Sequence, residues 1–295
     1  MDPIDGHGNA SGKGLRRVAV GLAVPTLLIA AFIATLNAVD RFARRTTTTT
    51  TSFRVSDFGE GIREIKVRGS GDIAIVGRSS AEIGEGAPVQ VKRRATGGLR
   101  KPTVSTRIKG STLELEGKCP FLALSCSVDF EVSLPDDVLM KLSTSGGDLA
   151  VRHQRADVVA RSSGGDVSVF DVVGSVSVNS SGGDLALYRI TGSINAATSG
   201  GDVLGVSLDS METKASSSGG DVNITFLRAP KQVRAKSSGG DVIISLPRGE
   251  ESYNAVATSS GGDNSVGVKT DPASPNRVRA DTSGGDAHIE YADRP

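Results

Sequence analysis

Eight aspartates, Asp148, Asp166, Asp184, Asp202, Asp221, Asp241, Asp263 and Asp286, each close a Ser-Gly-Gly-Asp tetrapeptide and recur at intervals of 18 to 23 residues. A carboxylate repeated so regularly could ligate a row of cations, or serve a hydrolytic site if a base and a nucleophile stood beside it. Calcium repeats of the toxin type use a nine-residue GGxGxD pattern with ligands from neighbouring turns, and this chain has neither that period nor the extra acidic positions. The serines beside the aspartates, Ser145, Ser163 and their equivalents, would need a base. The three histidines, His7, His153 and His288, cannot be grouped with one repeat's Ser and Asp in a way that the other repeats do not contradict. The aspartates therefore read as a structural turn column. No catalytic, cofactor-binding or metal-binding residue is expected, and the chain does not read as an enzyme.

The period itself points to stacked supersecondary units. One residue after the aspartate stand Leu149, Val167, Leu185, Val203, Val222, Val242, Asn264 and Ala287; three after it, Val151, Val169, Leu187, Gly205, Ile224, Ile244, Val266 and Ile289. Apolar residues also stand six and eight before it, as at Leu142 and Met140 or Val178 and Val176. Apolar positions two apart describe a strand with one buried face, so each repeat carries one strand before the turn and one after it. The inward set changes parity across the Gly-Gly, which predicts backbone angles closed to residues with a Cβ. Gly174, Gly192, Pro230 and Pro247 mark a looser opposite corner, where the growing period is absorbed. The fold class is all-β: a β-solenoid of two-strand coils, the regular part at 141–295. Stacked at about 4.8 Å, neighbouring ionised aspartates would repel by about 0.9 kcal/mol in water, so the column must be hydrated, hydrogen-bonded or neutralised.

Composition bounds the function. The 295 residues include 37 glycines and no Trp, and 4% are aromatic, which leaves few of the large side chains that line ligand pockets. The net charge of +1 argues against nucleic acid as a partner. The clusters Lys92-Arg93-Arg94 and Arg100-Lys101 lie near Gly97 and Gly98 and read as a solvated loop.

Residues 18–39 carry no charge and would span about 33 Å as a helix, the reach of a bilayer core. This stretch is expected to be a transmembrane α-helix after a short polar tail at 1–17, in preference to a cleaved signal peptide. Lys13, Arg16 and Arg17 before it balance Arg41, Arg44 and Arg45 after it, so charge counting gives no orientation. Residues 40–52, with six consecutive threonines from Thr46 to Thr51, read as a basic, Thr-rich tether. Cys119 and Cys126 are the two cysteines. A hairpin could pair them, and a disulfide would fit an oxidising compartment, against the alternative of two buried thiols.

Residues 53–140 read as an irregular β start that caps the solenoid. Arg68-Gly69-Ser70-Gly71-Asp72, followed by Ile73 and Ile75, repeats the turn in degenerate form. The tandem Ser-Gly-Gly-Asp repeats, the stretch CPFLALSCSVDFEVSLPDDV (119–138) and the single N-terminal apolar segment are together similar to the bacterial β-strand-repeat family of "putative adhesins", over residues 53–295. The resemblance implies a membrane-tethered β-solenoid whose biochemical role is unassigned. The functional expectation is a non-catalytic binding module, anchored in the cell membrane by one pass with its C-terminal domain extracytoplasmic. Its partner would be a cell-wall polymer or another cell surface. The alternatives are an envelope stress or signalling component that binds a peptide, a lipid or a membrane regulator, and a scaffold that self-associates end to end.

Overall fold

In a computed structural model of the chain, the described residues are 45–53, 58, 61–79, 89–98, 100–121, 123 and 126–292. The expected membrane segment, 18–39, lies outside them, as does His7. Among the described residues no helix is long and apolar enough to cross a membrane.

The chain runs through β1 (Arg45–Phe53), β2 (Glu64–Gly69), β3 (Ile73–Arg78), β4 (Val89–Gly97), β5 (Thr103–Lys109), β6 (Thr112–Lys118), β7 (Ser127–Pro135), β8 (Leu139–Thr144) and β9 (Leu149–Gln154). The regular repeats continue as β10 (Val158–Ser162), β11 (Val167–Val173), β12 (Val176–Ser180), β13 (Leu185–Thr191), β14 (Ile194–Thr198), β15 (Val203–Leu208), β16 (Glu212–Ser217) and β17 (Val222–Phe226). The last strands are β18 (Gln232–Lys236), β19 (Val242–Leu246), β20 (Asn254–Ser259), β21 (Asn264–Val266), β22 (Arg277–Thr282) and β23 (Ala287–Tyr291).

Two facing sheets enclose one core. The first is ordered β1-β4-β7-β3-β9-β11-β13-β15-β17-β19-β23-β21, the second β20-β22-β18-β16-β14-β12-β10-β8-β2-β6-β5. Each repeat contributes one rung, a strand of the second sheet, a Gly-Gly-Asp corner and a strand of the first. Parallel stacking places like residues over like: Val158 pairs with Val176 and Met140, and Val169 with Leu187 and Val151. These columns are buried on the inner rungs, though not on the outermost β20/β21 rung, which is why the alternation was readable. At Gly205 the column is filled from the side. A Cβ there would meet Leu208 Cδ1 at 2.8 Å, so the leucine occupies the vacated space.

Rung order does not follow chain order at either end. The β2/β3 rung is inserted between β6/β7 and β8/β9, and the β22/β23 rung between β18/β19 and β20/β21. Asn264 therefore belongs to the outermost C-terminal rung, where β21 is exposed throughout, so its polar side chain does not enter the core.

Beyond β6/β7 the stack ends in antiparallel strands: β4 on β7, β1 on β4, and β5 on β6. This corrects two expectations. The threonine run is no free tether, because Arg45–Phe53 forms β1 and pairs along its whole length with β4. Threonine is β-branched and suits an edge strand whose ladder supplies the hydrogen bonds, whatever its apolar content. Lys92, Arg93 and Arg94 are no loop either. They lie in β4, where Lys92 pairs with Glu131 and Arg93 is half-buried on the inward side.

Candidate binding surface

The corner residues come together as a continuous ladder. The backbone N–H of Asp166 donates to Oδ1 of Asp148 at 2.9 Å, and Asp184, Asp202, Asp221 and Asp241 each donate in the same way to the aspartate one rung before, at 2.8 Å. The inserted rung keeps the pattern, since Asp286 N–H reaches Asp241 and Asp263 N–H reaches Asp286. Towards the other end Asp148 N–H reaches Asp72, and Asp72 N–H reaches Asp129 at 3.2 Å. Burial pushes the Asp129 carboxyl above its ordinary range, against the N–H it accepts. One oxygen of each carboxylate from Asp129 to Asp286, Asp263 on the outermost rung excepted, is thus committed to the neighbouring backbone, which offsets part of the charge repulsion within the column.

A second column escaped the sequence reading. Thr144, Ser162, Ser180, Thr198, Ser217 and Ser237, four residues before each aspartate, are buried. Ser180 Oγ donates to the Gly165 carbonyl at 3.1 Å and accepts the Gly183 N–H at 3.0 Å, and the other hydroxyls repeat this bridge. The signal was present as a hydroxyl residue at that position in all eight repeats. The adjacent serines, Ser145 and Ser163 among them, are exposed.

The glycines act differently from expectation. The glycines with positive φ among the described residues are Gly61, Gly110 and Gly192, none of them in the Gly-Gly-Asp corners. What the second corner glycine provides is clearance: a Cβ on Gly165 would stand 2.1 Å from the Gly147 carbonyl oxygen. The left-handed residues are instead His153, Asp171, Arg189 and Ser207, one per rung, five residues after the aspartate. This turn brings the next residue, Gln154, Val172, Ile190 or Leu208, back into the core. Stacked side chains hold the column. Arg189 Nη2 donates to Asp171 at 3.0 Å, and His153 Nδ1 lies 3.4 Å from the same carboxylate. The Arg189 guanidinium holds the Asp171 carboxyl below the usual range, against partial burial.

His288 Nδ1 lies 2.7 Å from Ser265 Oγ on the next rung, with Asp286 3.9 Å from the far side of the ring. That carboxylate is beyond hydrogen-bond range of the ring, and its other oxygen accepts the Asp263 N–H. Cys119 and Cys126 are joined, with Cα atoms 5.8 Å apart, and close the corner of the β6/β7 rung, which has no Gly-Gly-Asp. Among the described residues no group of three or more His, Cys, Asp or Glu is placed to hold a metal ion.

The two sheets present unlike faces to solvent. On the first, the outward column Ala74, Ala150, Ser168, Ala186 and Leu204 runs beside Val76, Arg152, Phe170, Tyr188 and Val206. Phe170 and Tyr188 stack at 4.8 Å and Arg152 covers Phe170, so Phe170 is held between the two. On the second, the columns are Lys66, Lys141, Val159, Ser177, Asn195, Lys214, Arg234 and Arg68, Ser143, Arg161, Asn179, Ala197, Ser216, Lys236. Seven of these are cations, against the single cation Arg152 opposite, and the same rows continue into acids at either side, Glu114 and Glu116 on β6 and Asp281 on β22.

A family model described as Toastrack DUF4097 matches residues 100–290. The chain is also similar to a solved "putative adhesin" from Bacteroides fragilis, 14% identical over 84% of this chain and 97% of that one, with a TM-score of 0.39. A "putative adhesin" from Parabacteroides distasonis is 12% identical over the same shares, with a TM-score of 0.46. A "putative cell adhesion protein" from Clostridium sporogenes is 12% identical over 84% of this chain and all of that one, with a TM-score of 0.24. Likenesses this weak carry no inference about function. No curated protein matches the chain.

Proposed function

The chain belongs to the Toastrack DUF4097 family, and on that premise we propose that it is a non-catalytic binding module of the cell envelope, anchored by residues 18–39 and displaying its solenoid outside the membrane in the manner of an adhesin. The observation that carries this reading is the division of labour between corners and faces. Carboxylates and hydroxyls at the corner hold one rung to the next on every regular coil, while the long columns of outward side chains, cationic on one sheet and largely apolar on the other, are linked only locally, at Lys141–Glu64 and along Arg152, Phe170 and Tyr188. A repeated rung is an economical way to extend a face, since each coil adds a strand width of about 4.8 Å to it. The joined pair Cys119–Cys126 supports an oxidising compartment.

Protease treatment of intact cells, with detection of a C-terminal tag, tests the placement. Loss of the tag and retention of the purified protein on isolated envelope material are the expected results. A protected tag, with thiols at Cys119 and Cys126 that label freely, would overturn the reading.

A further inference from the structure

We propose that the outward face of the second sheet binds a linear, phosphate-bearing polyanion laid along the solenoid axis. The inference rests on the binding-module reading and gives that module a ligand class. Cations occupy this face on β2, β8 and β10 and again on β16 and β18, and past β2 the same two rows run on into Glu114 and Glu116 of β6. Lys66, Arg68, Lys141 and Arg161 lie over the first rungs and Lys214, Arg234 and Lys236 over later ones, with Ser177, Asn179 and Asn195 as neutral hydrogen-bonding groups between them. Parallel register sets like charges beside each other, Lys66 against Lys141 and Lys214 against Arg234, with Arg279 next in the same row. Directly opposed like charges destabilise a sheet unless something neutralises them. At one end that is partly achieved within the chain, because Glu64 pairs with both Lys66 and Lys141. Arg279 likewise pairs with Asp281. Among the described residues no ion pair involves Arg161, Lys214, Arg234 or Lys236, and the acid beside Lys236, Asp281, is taken by Arg279.

The shape of the positive region selects a chain over a plane. Seven rungs extend about 29 Å along the axis, while the two columns stand only about 7 Å apart across it. Acids border the ribbon on both sides. Asp157 and Glu212 lie at the start of their strands, and the aspartate ladder from Asp148 to Asp241 follows the strands' ends. A membrane of anionic headgroups would press against those acidic margins as well as against the ribbon. A polymer one chain wide would not. Arginine forks and lysine points on the same strip suit phosphate groups, which accept from both.

The test uses the full-length chain in a non-ionic detergent, with long-chain polyphosphate as the probe. Binding is expected to weaken steeply as salt rises from about 50 to about 200 mM, as counterion release requires. The exposed triple variant Lys214→Gln, Arg234→Gln, Lys236→Gln should bind roughly tenfold or more weakly, while Arg152→Gln on the other face binds like wild type. Thermal unfolding of each variant checks that the fold is intact. Unchanged affinity in the triple variant, equal loss in Arg152→Gln, or tighter binding to polygalacturonate or phosphatidylglycerol vesicles than to polyphosphate would each overturn the proposal. A chain that binds isolated envelope but not polyphosphate overturns the ligand and leaves the binding-module reading standing; one that binds neither overturns both.

Discussion

The backbone N–H of Asp184 donates to Oδ1 of Asp166, one rung away, at 2.8 Å, and Asp184 in turn accepts the N–H of Asp202. What the ladder requires of the side chain is an acceptor at the right height, not a charge. Asp184→Asn keeps the acceptor and removes one charge from the column, so its unfolding free energy should stay within about 0.5 kcal/mol of wild type. Asp184→Ala leaves the Asp202 N–H without its partner and should be less stable by about 1 kcal/mol. Urea unfolding of the two variants decides the matter; equal stability would mean that the ladder contributes nothing.

The two corner glycines should separate cleanly. A Cβ on Gly164 would find its nearest neighbour at 3.7 Å, in ordinary contact, whereas one on Gly165 would stand 2.1 Å from a backbone oxygen that cannot rotate away. Gly164→Ala is expected to change stability by less than about 0.5 kcal/mol, and Gly165→Ala to lower it by about 3 kcal/mol as the rungs are forced apart. Differential scanning calorimetry of the pair would sink the clearance argument if the two variants melted together.

Acid should weaken the left-handed column. The Asp171 carboxyl is held below its ordinary value chiefly by its hydrogen bond to Arg189. A depressed acid contributes stability above its unfolded pKa and loses it as pH falls through the folded one. Wild type should therefore lose this increment below about pH 4, the ordinary range of an aspartate. Asp171→Asn tolerates the same backbone angle and has no charge to titrate, so its stability should fall less between pH 6 and pH 3 in urea unfolding. An identical fall in both proteins would show that the pair contributes nothing.

Two truncations should rank against intuition. A chain cut after Asn276 keeps more residues than one cut after Gly249, yet it lacks β22 and β23, on which β20 and β21 depend for pairing. Limited proteolysis is expected to trim the longer chain back to the β18/β19 rung, and thermal unfolding to find it no more stable than the shorter one. A protease-resistant 250–276 segment would contradict the rung order.

The solenoid was legible because parallel stacking repeats a local pattern. Val158, Val176 and Ile194 announce a buried column without knowledge of which rung lies beside which. Rung order was not legible for the same reason, since the strand at Val278 carries the same pattern as its neighbours and nothing local says that it lies between Val233 and Ala255. The aspartates and cysteines were singled out by type and spacing. The buried hydroxyls of Thr144 and Ser180 were overlooked because a serine in a corner motif reads as solvent-facing. The part played by the glycines was misjudged, since close approach between coils and left-handed angles select the same residue. His153, Asp171 and Arg189 were passed over because, although each stands five residues after its aspartate, they share no residue type.

The inserted terminal rung bears on how the molecule would carry load. β23 is hydrogen-bonded on one side to β19 and on the other to β21, so tension applied at the end of the chain cannot peel it from an open edge. It must slide between two neighbours and break both ladders together, and resistance to forced unfolding is set by such an unfolding barrier, not by equilibrium stability. A repeat protein stacked in simple chain order would unzip one coil at a time. Here the final coil is held as the middle strand of a lap joint, so rupture begins with a shear event that leaves the inner rungs standing.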